Sequence, residues 1–569
     1  MKLRYLRVGN YPPLKDAQVA FSSHSPLARD CAIRFVVGLN GSGKSHLLQA
    51  VCEVFLALSN GMPPHFPVTL VFEKGADKKQ TVMVTAQRSE TQAQPALWMS
   101  DEFLFDKDAD EQQFEQFIDA LYQQAETQPH GFNKGIKPGS WSGGDSLGAY
   151  LPKTVLAYTT GAQGPWQRLW LRNSDTSGID AVIENDDAEQ DMERPVGWTV
   201  AQERQVFGDA SSTDDAEQYS AETGWQPIFI TAALLKLALL AVALPASVDK
   251  LKGQSNTHAG LQALLEKKAG LSHLVSVALE LQFTPKAWAS SKRTEDHLSR
   301  LLPWFEACTE VTGEPHPGKH RLLHFDLQAV VDAQTQSNTD SSRWHGEELL
   351  RLLGGEESSD YQRFQYLYDM HRKGLIDDLR ISLRKNDTED VISYDELSDG
   401  EQMVLGRMAL FYLLRDQHDA LLLLDEPETH FNDKWKREIV DIIDNAIGET
   451  HNDVLISTHS AIVLSDVFNE EIVHVFRGGG AAHSSIGAIA DKTFAADPSA
   501  LMIRVFDADD SIGQRAQKYI HSVLGRADWT QADIDKLKEL VERMGSGFYR
   551  SELRTLINKW ESSQGSLNA

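Results

Sequence analysis

Apolar residues recur along this chain with two different periods, and each change of period marks a predicted change of element. Leu3, Tyr5 and Val8 open an alternating segment, Pro12-Pro13 turns the chain, and Ile33 to Val37 form a continuous apolar run. That order predicts strand, turn, strand, a Gly-rich loop and then a helix from Ser45. Val68 to Phe72, Thr81 to Thr85 and Lys153 to Tyr158 read as further strands, with polar helices and a Gly-rich segment at Gly139 to Gly148 between them.

Ile228 to Leu244 is the most apolar stretch, interrupted only by Thr231 and Lys236. It is at the short limit for crossing a bilayer, carries a charge at its middle and stops at Pro245, so a buried helix is predicted and no membrane partner. Helical spacing then dominates in Leu261-Leu264-Leu265, in Leu271-Leu274-Val275-Ala278-Leu279 and in Leu349-Leu350-Leu352-Leu353, with one strand at Arg321 to Leu327. From Asp387 the alternation of strands and helices returns: helix from Asp399 to Leu414, strand Ala420 to Leu424, helix Lys434 to Ile447, strand Asp453 to Ser457. The end of the chain is amphipathic helix, with Tyr519, Ile520, Val523 and Leu524 on one stripe and Leu537, Leu540 and Val541 on another.

These patterns predict an α/β protein in which a nucleotide domain of mixed sheet and flanking helices is interrupted by a mostly helical inserted lobe. The expected divisions are 1–173 and 386–495 for the two parts of that domain, 174–226 for an acidic and mobile insertion, 227–385 for the lobe, and 496–569 for a C-terminal helical segment.

Composition changes this picture in two places. The net charge of −27 argues at first against nucleic acid, whose phosphates are held by Lys and Arg. Yet Asp175 to Glu222 contains fourteen acidic and two basic residues, which leaves −15 for the rest of the chain. That segment also lacks periodic apolar residues and cannot bury enough surface to offset its own ordering. The three cysteines form no Cys-x-x-Cys pair, and with no apolar leader at Met1 this predicts a reducing, cytoplasmic setting.

The chemistry is concentrated in short motifs. Gly38-Leu39-Asn40-Gly41-Ser42-Gly43-Lys44-Ser45 follows an apolar strand and precedes a helix, the context in which a Gly-x-x-x-x-Gly-Lys-Ser loop binds phosphate. Backbone N–H groups of Gly38, Asn40, Gly41, Ser42, Gly43 and neighbouring His46 would cradle the phosphates of ATP. Lys44 would neutralise the β and γ oxygens, and Ser45 would ligate Mg²⁺. The strand Ala420 to Leu424 ends in Asp425-Glu426, placing two carboxylates at the edge of a parallel sheet where ligands collect. Asp425 is expected to hold the metal, and Glu426 to orient or deprotonate the attacking water.

Leu397-Ser398-Asp399-Gly400-Glu401-Gln402 stands just before a helix and resembles the Leu-Ser-x-Gly-Gln signature of the ABC ATPase superfamily. The resemblance implies that Ser398 and Gly400 bind the γ-phosphate held by a second subunit; as a plain helix start, Ser398 and Glu401 also fit a capping box. Ser457-Thr458-His459-Ser460 resembles the switch region of that family, making His459 a contact of the γ-phosphate. For the glutamine that the family places on the metal, Gln163 is the candidate and Gln167 the competitor.

Within the superfamily, Asp425-Glu426-Pro427-Glu428-Thr429-His430-Phe431-Asn432 and the long interval between phosphate loop and signature resemble the RecF-like, chromosome-maintenance-like and OLD-like branch. The C-terminal Met544 to Arg554 is similar to PtuA-type defence ATPases of Septu and retron systems. This implies an ATP-dependent homodimer or higher oligomer that partners an HNH-type nuclease, with DNA or retron RNA/DNA as further partners. A RecF-type repair ATPase is the alternative. The second alternative is an OLD-like nuclease, with Phe506-Asp507-Ala508-Asp509-Asp510 as its acidic motif.

Overall fold

The computed structural model describes residues 1–22, 26–60, 63–76, 78–86, 96–123, 134–136, 150–173, 225, 227–244, 270–282, 303–312, 320–327, 345–355, 357–372, 376–386, 388, 390–477, 483–508, 510, 512–526 and 528–565. The acidic segment predicted over 174–226, the Gly-rich segment at 139–148 and the helical spacing at Leu261-Leu265 fall outside them, apart from residue 225. The chain divides into two compact units, Met1–Ala495 and Ala496–Ala569.

The first unit opens with β1 (Lys2–Tyr11), β2 (Leu14–Ala20), β3 (Ala32–Val37), α1 (Lys44–Ser59), β4 (Val68–Lys74), β5 (Gln80–Ala86), β6 (Ala96–Ser100), α2 (Glu111–Gln123) and β7 (Lys134–Ile136). It continues with β8 (Thr154–Thr159), α3 (Gln163–Asn173), β9 (Ile228–Ile230) and α4 (Ala232–Ala243). Next come β10 (Leu271–Gln282), β11 (Glu310–Thr312), β12 (His320–Asp326), α5 (His345–Leu352), α6 (Asp360–Arg372), β13 (Ile376–Lys385) and β14 (Val391–Ser393). The unit closes with α7 (Asp399–Leu413), β15 (Ala420–Asp425), α8 (Asp433–Ile447), β16 (Asp453–Thr458), α9 (Ala461–Leu464), β17 (Ile472–Phe476) and β18 (Ser485–Gly487).

Three sheets result. One is antiparallel in the order β2-β1-β4-β5-β6-β7; the second runs β18-β17-β3-β16-β15-β8-β9 and is parallel except for β18. The α/β class, with sheets flanked by helices, is therefore as predicted. Helix α1 is buried on nearly every face, from Leu47 and Leu48 through Phe55 and Leu56, and its side chains join a core that includes β1, β4, β15 and β16. A helix apolar all round is one that has neighbours all round. Both strands that carry chemistry are buried throughout: β15 and β16 lie inside the sheet, so their runs are continuous and not alternating.

The third sheet, β11-β12-β10-β13-β14, corrects the expectation for the inserted region. Helices α4, α5 and α6 are present there, but Leu271 to Leu279, expected to be helical, is the central strand β10. Its pairing with β13 shifts register between Leu271 and Leu274 and again between Leu274 and Ser276. Each irregularity inserts a residue, so buried positions fall three apart and imitate a helical stripe. Beyond them Val277, Leu279 and Leu281 are buried at the strand period of two.

The apolar run at 228–244 is also split. Ile228–Ile230 forms edge strand β9, and Thr231 caps α4 by accepting from the Leu234 N–H. Thr231 is thus the boundary between two elements, the cap a helix start prefers. Lys236 on α4 is neutralised by Asp395 at 2.8 Å and Asp378 at 3.3 Å, which is how a charge persists in that run. Among the described residues no helix is long and apolar enough to cross a membrane.

Glu471 gives the first unit a pH dependence. Its carboxylate accepts the Phe468 N–H at 3.0 Å, and burial pushes its pKa from 4.5 to about 7. The folded state binds this proton more tightly than the unfolded chain, so the stabilisation is complete below pH 4.5 and disappears as pH rises through about 7. Glu471→Gln is expected to remove that slope, worth on the order of 3 kcal/mol across the interval. Urea denaturation at pH 5 and pH 8 measures it; equal slopes in both proteins would contradict it.

The second unit contains α10 (Pro498–Arg504), α11 (Gln514–Leu524), α12 (Gln531–Arg543) and α13 (Phe548–Gly565). Ile534, Leu537 and Val541 of α12 form its core with Leu553 and Ile557 of α13. The expected stripe at Leu537, Leu540 and Val541 faces this core. The described residues of the unit are helical with no strand, so Asp507 does not stand at the end of a β-strand as a nuclease domain of the OLD-like kind would require.

Candidate functional site

Parallel register brings the site together. In the sheet, β15 lies between β16 and β8, and β16 lies next to β3. Asp425 is level with Ser457 on one side and Thr159 on the other, while Thr458 is level with Val37. The phosphate loop, the acidic pair, the switch loop and the Thr160–Gln163 loop therefore all leave the same carboxyl edge, 380 residues of sequence notwithstanding between Ser45 and Asp425.

The loop has the backbone that binds anions. Gly38 cannot carry a side chain, because a Cβ would lie 2.0 Å from the Val475 carbonyl oxygen on β17. Gly43, at φ 106°, begins α1 without any side-chain cap, and its missing Cβ admits Pro13 of the β1–β2 turn at 3.0 Å. The first N–H groups of α1 thus face the cleft with the positive end of the helix behind them. Lys44 folds back onto the loop, donating to the carbonyls of Gly38 at 3.0 Å and Leu39 at 3.2 Å. Burial lowers its pKa, opposed by Glu426, Asp425 and Glu428.

Asp425 is a saturated acceptor. Its Oδ1 takes the hydroxyls of Ser45 at 2.8 Å and of Ser457, and its Oδ2 takes Thr159 Oγ1 and Trp166 Nε1, each at 3.2 Å. Glu426 sits in the left-handed region at φ 51°, held by its N–H to the Ser457 carbonyl and hydroxyl, both at 3.1 Å. This conformation, uncommon for a residue with a side chain, turns the carboxylate out of the strand. Its Oε1 meets His459 Nδ1 at 3.3 Å. That hydrogen bond is the main cause that lowers the Glu426 pKa and raises that of His459, so each group favours the charged form of the other.

A cleft of about 350 Å³ is lined by Asn40, Gly41, Gly43, Lys44, Ser45, His46, Glu426 and His459. Eight residues singled out in the sequence therefore share one space. Gly38 and Ser42 support its wall: Ser42 is buried and its N–H bonds the Leu39 carbonyl at 3.1 Å. His46 also lines a second cleft of about 430 Å³, between Tyr11 of the β1–β2 hairpin, Gln49 and Glu53 of α1 and Arg168 of α3.

Four other candidates stand apart from this lining. Gln163 begins α3, on the loop tied to the acidic pair by Thr160 Oγ1 donating to the Glu426 carbonyl at 2.7 Å. Gln167 is buried in the same helix. Ser398 is exposed at the start of α7, where its hydroxyl donates to Glu401 Oε2 at 2.6 Å and the reciprocal capping box is complete; Gly400 follows it in the first turn. Among the described residues there is no group of three or more His, Cys, Asp or Glu placed to hold a metal ion.

Sequence reading missed four contributors. Thr159 at the end of β8 and Ser457 next to the end of β16 stand level with Asp425, a signal available only once the strands are known to be neighbours. Trp166 lies one turn into α3. Arg407, on the same helix as the signature, is buried and donates to the carbonyls of Pro427 and of Thr429, the latter at 2.9 Å, so it grips the turn that follows the acidic pair.

The fold and site define the class: an α/β protein with a phosphate loop and an acidic strand end at one sheet edge. In comparisons with known proteins, residues 299–466 match the family described as "AAA domain, putative AbiEii toxin, Type IV TA system". No curated protein matches. Among solved structures, an SMC head bound to the C-terminal winged-helix domain of ScpA is 13% identical, over 86% of this chain and 98% of that one, with a TM-score of 0.31. The SMC head domain from Thermotoga maritima is 12% identical, over 86% of this chain and 100% of its own, also with a TM-score of 0.31.

Proposed function

We propose that this chain is an ATP-binding and ATP-hydrolysing enzyme of the ABC type that dimerises around ATP. The observation that carries this is the single cleft shared by the phosphate loop, Glu426 and His459, with Asp425 bonded to Ser45 at its base. Phosphoryl transfer to water needs mainly positioning and charge stabilisation, and these residues supply both. Lys44 leaves its two carbonyls for the β and γ oxygens when they enter. Glu426 orients the attacking water and accepts its proton, and His459 beside it senses the γ-phosphate.

Mg²⁺ fits the donor set, since Ser45 Oγ and Asp425 Oδ1 already face each other at 2.8 Å. Bound there, it would neutralise charge on the transferring phosphate. Gln163, at the end of the Thr160 loop, would be its third protein contact. Ser398 and Gly400, which do not line this cleft, are assigned to a second subunit's nucleotide.

The biological reading is the regulatory ATPase subunit of an anti-phage defence complex that controls a partner HNH-type nuclease. It is supported by the PtuA-like sequence at Met544 to Arg554 and by the toxin–antitoxin description of the matching family. Purified chain with ATP and Mg²⁺ is expected to release phosphate, and Lys44→Ala to reduce the rate at least about 10²-fold. Wild-type protein with no turnover would refute the enzymatic reading. Copurification of an HNH nuclease from the native host supports the defence role, whereas DNA-stimulated turnover without such a partner favours repair.

A further inference from the structure

Glu428 is a carboxylic acid that the proposed reaction does not use. It is 2% exposed, lies two residues beyond Glu426, and burial pushes its pKa up. One oxygen, Oε1, accepts the hydroxyl of Thr458; the other, Oε2, is buried and has no hydrogen-bond partner among the described residues. An acid kept in this state is a cost to stability, and such groups persist where they serve a site.

The partner of Glu428 says which site. Thr458 Oγ1 donates to the carboxylate and at the same time accepts the Ser460 N–H at 3.0 Å. One hydroxyl therefore pins the residues on both sides of His459. The turn carrying Glu428 is itself fixed, by Arg407 on the carbonyls of Pro427 and Thr429 and by the Phe431 N–H on the Glu428 carbonyl at 3.0 Å. In front of this brace, His459 Nδ1 reaches Glu426 Oε1 at 3.3 Å.

We propose that Glu428 is a positioning residue for hydrolysis: through Thr458 it fixes the backbone around His459, and so sets where His459 meets Glu426 and the γ-phosphate. This rests on the reading of the cleft as an ATPase site. The carboxyl group works by accepting a hydrogen bond, not by moving a proton, so an amide oxygen in its place serves as well. Neither Glu428 nor Thr458 lines the cleft, so the brace acts through His459 and not by its own contact with the nucleotide.

Steady-state ATP hydrolysis by Glu428→Ala, Glu428→Gln, Thr458→Val and Thr458→Ser tests it, with melting temperatures measured alongside. Glu428→Ala and Thr458→Val are each expected to lower kcat roughly tenfold to a hundredfold with KM within about threefold, since misplacement acts on the reacting geometry. Thr458→Ser and Glu428→Gln should keep kcat within about threefold of wild type, and the Ala/Val double variant should be no slower than the worse single one. Full kcat in Thr458→Val would overturn the proposal, as would a loss in Glu428→Gln equal to that in Glu428→Ala, which would assign proton transfer instead. A wild-type protein without turnover would instead remove the ATPase reading beneath it.

Discussion

Glutamine at position 426 is expected to stop turnover while ATP stays bound. The substitution preserves the shape of a side chain held outward by the left-handed backbone at φ 51°, and it leaves the phosphate loop, Lys44 and Asp425 intact. What disappears is the charge that pairs with His459 at 3.3 Å and that, in the proposed reaction, accepts a proton from water. General-base groups contribute roughly 10² to 10⁴ in rate, and a loss in that range is predicted for Glu426→Gln. Because the nucleotide is retained, the dimer in which Ser398 faces the partner's γ-phosphate should accumulate. Single-turnover assays and light scattering with ATP measure the two effects. Unchanged turnover, or an ATP complex that stays monomeric, would contradict the mechanism.

Asparagine and alanine at position 425 are expected to fail differently. Trp166 Nε1 can only donate, so in Asp425→Asn the amide oxygen must remain at the Oδ2 position, 3.2 Å from the indole. The NH₂ group then occupies the Oδ1 position, where the hydroxyls of Ser45 and Ser457 can turn to accept from it. The protein should fold within about 1 kcal/mol of wild type. It should nevertheless lose Mg²⁺-dependent ATP affinity by on the order of 10²-fold, because a donor now faces the cation. Asp425→Ala leaves the Trp166 N–H buried with no acceptor and should cost about 2 to 3 kcal/mol in addition. Calorimetric unfolding, and ATP titration with and without Mg²⁺, separate the two. Equal stabilities for the two variants would remove the role given to Trp166.

The legibility of the molecule varied with how local its signals are. The loop could be read because Gly41, Gly43 and Lys44 lie within four residues, and the positive φ of the two glycines is written in residue type. Ser398 and Glu401 could be read for the same reason: a capping box is a four-residue device. The apolar runs of β15 and β16 announced buried strands, and their ends announced Asp425 and His459. Strand β10 misled because its bulges shift register, so that Leu271 and Leu274 stand three apart for a reason unrelated to helix geometry. Thr231 misled because a cap inside an apolar run looks like an interruption.

The sequence by itself determined the α/β class, the residue types of the Gly38–Ser45 loop and of the acidic pair, and the order in which these motifs occur. Each of these depends on side-chain type and on neighbours a few residues away. Only the tertiary structure decided which strand ends stand level with Asp425, that Trp166 and Ser457 complete its hydrogen bonds, and that Thr458 ties Glu428 to the loop of His459. Those facts depend on sheet order and register, which are set by packing between segments hundreds of residues apart and leave no period in the chain.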